Sequence, residues 1–336
     1  MIPQHGKSNA QTTAPAQNKI SDTPGHLSEN ADTTIQAAKN RRPLVIAFSH
    51  AVSELLVVKS VRAYADLRAK EIGGIVLLHG TTQSGDLAHQ LAEVSEWIEQ
   101  GVDAIVAMPI EAAALQPLVA RAQAKGIRFL SYAFPLPESD GMAGFDSLLS
   151  GSMCGAAAAA FIREQFPDGG AQALVGALAA TPLFAPRWLE PISMIEAAGG
   201  KIVALGDGAT VESGRRQTGE ALLSYPELSI VIGINDEFAL GAAKAFEAAG
   251  KDPAKSFICG QDGAPEGLRE IARGLHFKGT AAIFFDQLGA AIVDMSVSAI
   301  EGKPASISIP CEYISLSRPA QLEKLIKAFE TVTGPR

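Results

Sequence analysis

The sequence predicts an α/β protein of two doubly wound parallel-sheet lobes, and three observations carry that expectation. First, from Pro43 onward short apolar runs recur that do not alternate apolar with polar residues, the pattern of strands covered on both faces. Second, stretches with helical spacing separate these runs, and a strand-helix rhythm implies right-handed crossovers around parallel sheets. Third, the rhythm is interrupted at "PLPESDGMAGFD" (135–146), where prolines, glycine and charges cluster. The break favours two sheets of about five strands over one large sheet of nine or ten.

Before the break, strands are read at "LVIAF" (44–48), "GIVLLH" (74–79), "DAIVAM" (103–108) and "IRFLSY" (127–132). After the first strand, Leu55, Val58, Val61 and Tyr64 fall on one helical face, a core face. In "SGDLAHQLAEVSEWIEQG" (84–101), Leu87, Leu91, Val94 and Ile98 recur at helical spacing, and Gly101 stands where a helix stops. Past the break, "LLSGSMCGAAAAAFI" (148–162) opens a new helix. Strands follow at "ALVGAL" (173–178), "KIVAL" (201–205), "SIVIGI" (229–234), "SFICG" (256–260) and "TAAIFF" (280–285). A helix at 286–302 and then "ISIPCEYISLS" (307–317) indicate that the chain returns to the first lobe and crosses again. The expected first lobe is 43–146 with about 284–310, and the second is 147–283 with about 311–332. Residues 1–42 are polar, with Ser, Thr, Asn, Gln, Pro and Ala and no apolar periodicity, and are expected to be disordered.

Bulk properties narrow the function. Apolar residues make up 47% of the 336-residue chain and charged residues 19%, which is ample for a core. A net charge of -8 argues against a nucleic-acid partner. No apolar run approaches the roughly 18 residues that span a bilayer. Cys154, Cys259 and Cys311 lie far apart without metal-ligand spacing and are expected to pack as small apolar residues. Residues 1–42 show neither the apolar run of a secretory signal nor the buried positions of a helix-turn-helix head.

Open parallel sheets bind ligands beyond the carboxyl ends of their strands. That geometry singles out His50 after the first strand, Phe134 after the fourth, Asn235 after "SIVIGI" and Asp262 after "SFICGQ". Asn235 or Asp236 is equally suited to cap the following helix, and both roles are compatible. Signatures of chemistry are missing. No GxGxxG follows the first strand, and neither a phosphate loop nor a GxSxG elbow occurs. His50 and His79 end adjacent strands and are able to meet at the cleft mouth, where an ordinary polar contact is favoured over a metal or acid-base role. "GDG" (206–208) and "GQDG" (260–263) read first as turns.

Three stretches carry a family likeness. "GINDEFALGAAKAFEAAGK" (233–251), followed by "FICGQDGAPEGLREIARG" (257–274), resembles the periplasmic solute-binding proteins of the ribose/galactose class, type I. "LAEVSEWIEQGVDAIVAMPIEAAALQPLVARAQAKGI" (91–127) resembles the same family's second and third crossovers. The likeness spans roughly 43–317 and extends to the effector domains of lactose-repressor-like regulators. It implies two lobes joined by three crossovers, hinge closure over a ligand, no enzymatic chemistry, no cofactor, a periplasmic location and a monomer. The partner would be the permease of an ABC transporter or, alternatively, a receptor ectodomain. A cytoplasmic regulator without a DNA-binding head is the remaining alternative.

By this resemblance, Asn235 matches an amide that bonds a ligand hydroxyl, Asp262 a carboxylate that accepts from paired hydroxyls, and Arg187 the second-lobe arginine. Together they satisfy the mixed donor and acceptor edge of a polyol. The first lobe departs from the pattern. "SHAVSELL" (49–56) offers His50, Ser53 and Glu54 where the ribose-type pattern has Asn and two aromatics. Ala133-Phe134 replaces Asp-Arg, Ile283 stands at a Gln position, and Thr210 stands where an aromatic is usual. Phe134 is expected either to supply a stacking face or to plug the hinge.

Overall fold

Each of two six-stranded sheets is built by the same winding rule. The computed structural model describes residues 42–333, apart from 52, 54, 55, 84 and 180–183. The expectation for residues 1–42 therefore lies, up to residue 41, outside the described residues.

The first lobe runs β1 (Leu44–Ser49), α1 (Leu56–Ile72), β2 (Ile75–His79), α2 (Leu87–Gln100), β3 (Ala104–Ala107), α3 (Ala112–Ala124), β4 (Arg128–Tyr132) and β5 (Met142–Phe145). The second runs α4 (Ser147–Gln165), β6 (Gln172–Ala177), α5 (Pro186–Ala197), β7 (Lys201–Asp207), α6 (Val211–Ser224), β8 (Leu228–Ile232), α7 (Asp236–Ala248), β9 (Phe257–Asp262), α8 (Pro265–Ala272) and β10 (Phe277–Ile283). The chain then returns with α9 (Phe285–Ile300) and β11 (Ile307–Ile309) to the first lobe, and crosses back with β12 (Cys311–Ser315) and α10 (Pro319–Thr333).

The strand orders are β2-β1-β3-β4-β5-β11 and β7-β6-β8-β9-β10-β12. Every described pairing in the first sheet is parallel. In the second, β12 pairs antiparallel with β10 at the edge, while the other described pairings are parallel, as expected for parallel-sheet lobes. One antiparallel edge strand on a parallel sheet is a common arrangement. The lobes are joined at three points, Asp146, Phe284 and Pro310, each a single residue between elements of different lobes.

Two expectations shift. The sequence break at 135–146 contains a strand, β5, whose four residues "MAGF" are too few to show a pattern. "TAAIFF" does not end a strand: β10 stops at Ile283, Phe284 is the crossover and Phe285 begins α9. Each sheet consequently has six strands rather than about five.

Local chemistry explains several boundaries. Asp86 caps α2 by accepting from the His89 amide at 2.9 Å, and Gly101 ends that helix at φ 70°. On α1, Val58 and Val61 are buried as expected, while Leu55 lies outside the described residues. α1 packs on the returning helix α9, where a Cβ at Gly289 would stand 2.6 Å from Tyr64 Cβ. That close approach needs glycine and fastens the last third of the chain to its first helix. All three cysteines are buried. No helix of the described residues is long and apolar enough to cross a membrane.

Candidate functional site

The carboxyl end of β9 brings the most constrained polar cluster to the mouth of the second sheet. Arg187, near the start of α5, is 3% exposed and bonds Asp262 at the end of β9. Its Nε also donates to Gln261 Oε1 at 3.0 Å. Gln261 is fully buried and fully engaged. Its Oε1 accepts from Ser150 Oγ at 2.7 Å as well, and its Nε2 donates to the carbonyls of Arg187 (2.9 Å) and Gly233 (3.2 Å). One amide thus ties α4, α5, β8 and β9 together around the ion pair. "GQDG" is therefore not simply a turn, because Gln261 and Asp262 belong to the strand. Asp262 has φ 108°, a strained conformation for a residue with a side chain, and such strain persists only where the surroundings enforce it.

Two further carboxylates crowd this pair. α7 begins with Asn235, whose Oδ1 accepts from the Phe238 amide at 2.9 Å and whose Nδ2 donates to the Ala209 carbonyl, also at 2.9 Å. Asn235 therefore caps the helix, with each end of its amide already holding one partner. Asp236 is buried between Gly260 and Gly267, which have no side chains to collide with it. Its Oδ2 accepts from the Ala264 amide at 2.6 Å, but Oδ1 has no protein partner. Burial, and then the Asp262 charge, hold its carboxyl well above the usual range. Burial likewise raises Asp262, opposed by Arg187.

Glu237 is pushed up to about 7, first by burial and then by Asp262, with Glu266 adding and Arg187 opposing. The folded protein thus prefers Glu237 protonated. That preference is whole below the ordinary value of 4.5 and is lost as pH rises through about 7. Glu237→Gln is expected to remove this loss. The variant should gain on the wild type by on the order of 2–3 kcal/mol between those pH values, read from urea unfolding at each pH.

A separate cluster forms at the carboxyl end of β1 in the first lobe. His50, directly after β1, is fully buried, and its Nδ1 bonds the Tyr132 hydroxyl at 2.9 Å. Burial, then Arg62 and His79, push the His50 ring down to about 2, so it stays neutral, and its Nε2 has no protein partner. The His50 and His79 rings do meet, stacked with centroids 5.9 Å apart, and His79 Nε2 is engaged with Asp66 at 2.8 Å. Among the described residues no group of three or more His, Cys, Asp or Glu is arranged to hold a metal ion. Ser53 is half-buried and donates its amide to the Thr82 carbonyl at 3.0 Å, while Glu54 lies outside the described residues. After β4, Ala133 has φ 61°, and the Phe134 amide bonds the Tyr132 carbonyl at 2.7 Å, a strained γ-turn. Two of the three non-glycine residues with positive φ among the described residues, Ala133 and Asp262, thus lie at strand ends beside the cleft.

Three phenylalanines close the space between the lobes. The Phe134 ring, from the first lobe, lies 4.5 Å from Phe184, which precedes α5 in the second. Phe184 stacks at 6.3 Å on Phe145, from the end of β5. The Arg187 guanidinium sits over both Phe184 (5.3 Å) and Phe145 (5.9 Å). A cavity of about 300 Å³ opens beside them.

The structure therefore brings Arg187 and Asp262 into direct contact, with Phe134 against Phe184. Asn235 stands at the head of the same helix as the crowding carboxylates. His50 joins a separate cluster with Tyr132 and His79. Sequence reasoning missed Gln261, Phe145, Phe184, the burial of Asp236 and the half-burial of Glu237. Only Gln261 left a signal, as the residue before a strand-end Asp.

Residues 46–304 match the family model described as a periplasmic binding protein domain. The ribose import binding protein of Salmonella typhimurium is 33% identical over 91 residues, covering 27% of this chain. The aligned part spans 30% of that relative's length, under a third of it. The Bacillus subtilis ribose import binding protein is 25% identical over 237 residues, 69% of this chain and 74% of the relative. An ABC transporter solute binding protein from Bacillus halodurans, solved with bound myo-inositol, superposes with a TM-score of 0.73 at 21% identity, covering 86% of this chain and 99% of that one. A Caulobacter myo-inositol binding protein gives 0.72 at 19% identity, covering 84% and 97%. At those identities the structures establish the shared fold. With its family model matched across most of its length and the same two-lobed architecture in its structural neighbours, the chain belongs to the periplasmic binding proteins, type I class.

Proposed function

We propose that the chain binds a small polar solute, a sugar or sugar-like polyol, in the cleft between its lobes and delivers it to the permease of an ABC transporter. Closure about the three crossovers, Asp146, Phe284 and Pro310, would enclose the solute without altering it chemically. The working lobes are 43–146 with 284–310 and 147–283 with 311–332. The protein acts as a monomer in the periplasm. The supporting observation is the Arg187–Asp262 pair, buried at a strand's carboxyl end and facing the other lobe across Phe134 and Phe184. A guanidinium, a carboxylate and the nearby Asn235 amide offer the donors and acceptors that neighbouring hydroxyls require. His50 would join from the first lobe, where its buried Nε2, without a protein partner, suits one more hydrogen bond. Ser53 and Glu54, which follow His50 in the sequence, are further candidates from that lobe. Relatives named for ribose, and structural neighbours solved with myo-inositol and D-arabinose, support a polyhydroxylated ligand.

A thermal-shift screen of pentoses, hexoses, inositols and polyols tests the reading. A ligand at a hundredfold excess over its Kd should stabilise the fold by about 2.7 kcal/mol. For whichever compound binds, Asp262→Ala is expected to weaken affinity roughly ten- to hundredfold in calorimetry, the worth of one charge-assisted hydrogen bond. Unchanged affinity in that variant would place the solute elsewhere.

A further inference from the structure

Resting on the reading of this cleft as the solute site, we propose that it contains an apolar subsite beside the Arg187–Asp262 pair. The ligand is then a sugar-like polyol carrying a hydrophobic substituent, such as an aryl or alkyl aglycone. The cavity of about 300 Å³ is walled by Phe134, Pro135, Met142, Phe145, Leu148 and Phe184. Its polar edge is thin. Asp146 Oδ1 is already committed to capping α4, accepting from the Leu148 amide at 2.9 Å and the Leu149 amide at 3.0 Å. Chamber and polar pair share two walls, since the guanidinium that bonds Asp262 rests on Phe145 and Phe184. A solute whose hydroxyls reach Asp262 therefore has these rings beside it.

The end of β4 points the same way: Ala133-Phe134 gives the wall a methyl group and a ring and no hydrogen-bonding side chain. A strained γ-turn at Ala133 presents that ring to Phe184 rather than letting it relax into solvent. A free sugar offers such a wall only the C–H face of its ring and turns hydroxyls toward groups that do not accept from them. A substituent of phenyl size covers the wall with apolar surface and suits the chamber's dimensions.

The test is calorimetry with matched pairs: D-ribose, D-glucose and D-galactose, each against its phenyl β-glycoside. For at least one sugar, the phenyl glycoside is expected to bind roughly ten- to hundredfold more tightly than the free sugar. In Phe134→Ala, and separately in Met142→Gln, that ratio should fall towards one. Ratios at or below one for every pair overturn the inference and leave the sugar-binding reading standing. Preservation of the ratio in both variants also overturns it. Failure of both members of every pair to bind overturns the inference and the sugar-binding reading together.

Discussion

Arg187→Ala is expected to cost about 3–5 kcal/mol of stability, the usual penalty for stranding one partner of a buried ion pair. Arg187 is the cation bonded to Asp262, and its side chain and that of Asp262 are 4% and 12% exposed. Asp236 and Glu237 crowd the same space, and burial and then the Asp262 charge already raise the proton affinity of both. Without the guanidinium, Asp262 must take up a proton or remain charged among carboxylates. The reverse substitution is expected to be milder. In Asp262→Asn the arginine keeps its bond to Gln261 and its attraction to Glu237, and its stem still rests on Phe145 and Phe184. Arg187→Ala combined with Asp262→Asn should recover part of the loss, because the stranded charge is gone. Urea denaturation of the three variants measures this. Equal costs for the two single variants, or strict additivity in the double, would show that the pair is not held by charge.

The difference between the two substitutions also bears on how far the sequence discloses the site. Two-sided burial is a local property, so strands such as "DAIVAM" and "SIVIGI" announce themselves, and the repeated winding follows from their alternation with helices. β5 does not announce itself, because its place between β4 and β11 depends on a segment nearly half the chain away. β12 likewise takes its direction from β10 across a crossover, not from its own residues. Arg187 and Asp262 were found by likeness to a motif, but nothing in the chain order says that they touch. Nor does it show that Gln261 holds them. Its four hydrogen bonds reach Ser150, Arg187 and Gly233, which belong to three other segments. The aromatic wall was the least legible part. Phe134, Phe145 and Phe184 each leave the end of a different element, and an isolated phenylalanine in a loop looks like any other. Asn235 shows the reverse case, where both readings from sequence concern the same atoms. Its capping bond occupies the oxygen's nearer side and leaves a second lone pair and a second N–H for a ligand.

Phe238→Ala is expected to lower stability by about 3–5 kcal/mol, the cost of emptying a fully buried ring site. The ring, on the first turn of α7, is 0% exposed and lies against the strand backbones of β6 and β7. A Cβ at Gly206 would stand 2.7 Å from Phe238 Cζ, and one at Gly176 would stand 3.1 Å from Cε1. Two glycines therefore create the slot that the ring fills. The same residue ties the core to the cleft, since its amide is the donor that Asn235 accepts. Loosening Phe238 frees the helix start that carries Asn235, Asp236 and Glu237. The variant should accordingly lose solute affinity as well as stability, although the ring lies in the core rather than among the groups assigned to the solute. Phe238→Leu, which keeps most of the volume, should cost much less in both respects. Denaturant midpoints and calorimetry on the two variants separate the outcomes. Lost stability with unaltered affinity would mean that the polar cluster at the mouth of the second sheet holds its geometry independently of the core beneath it.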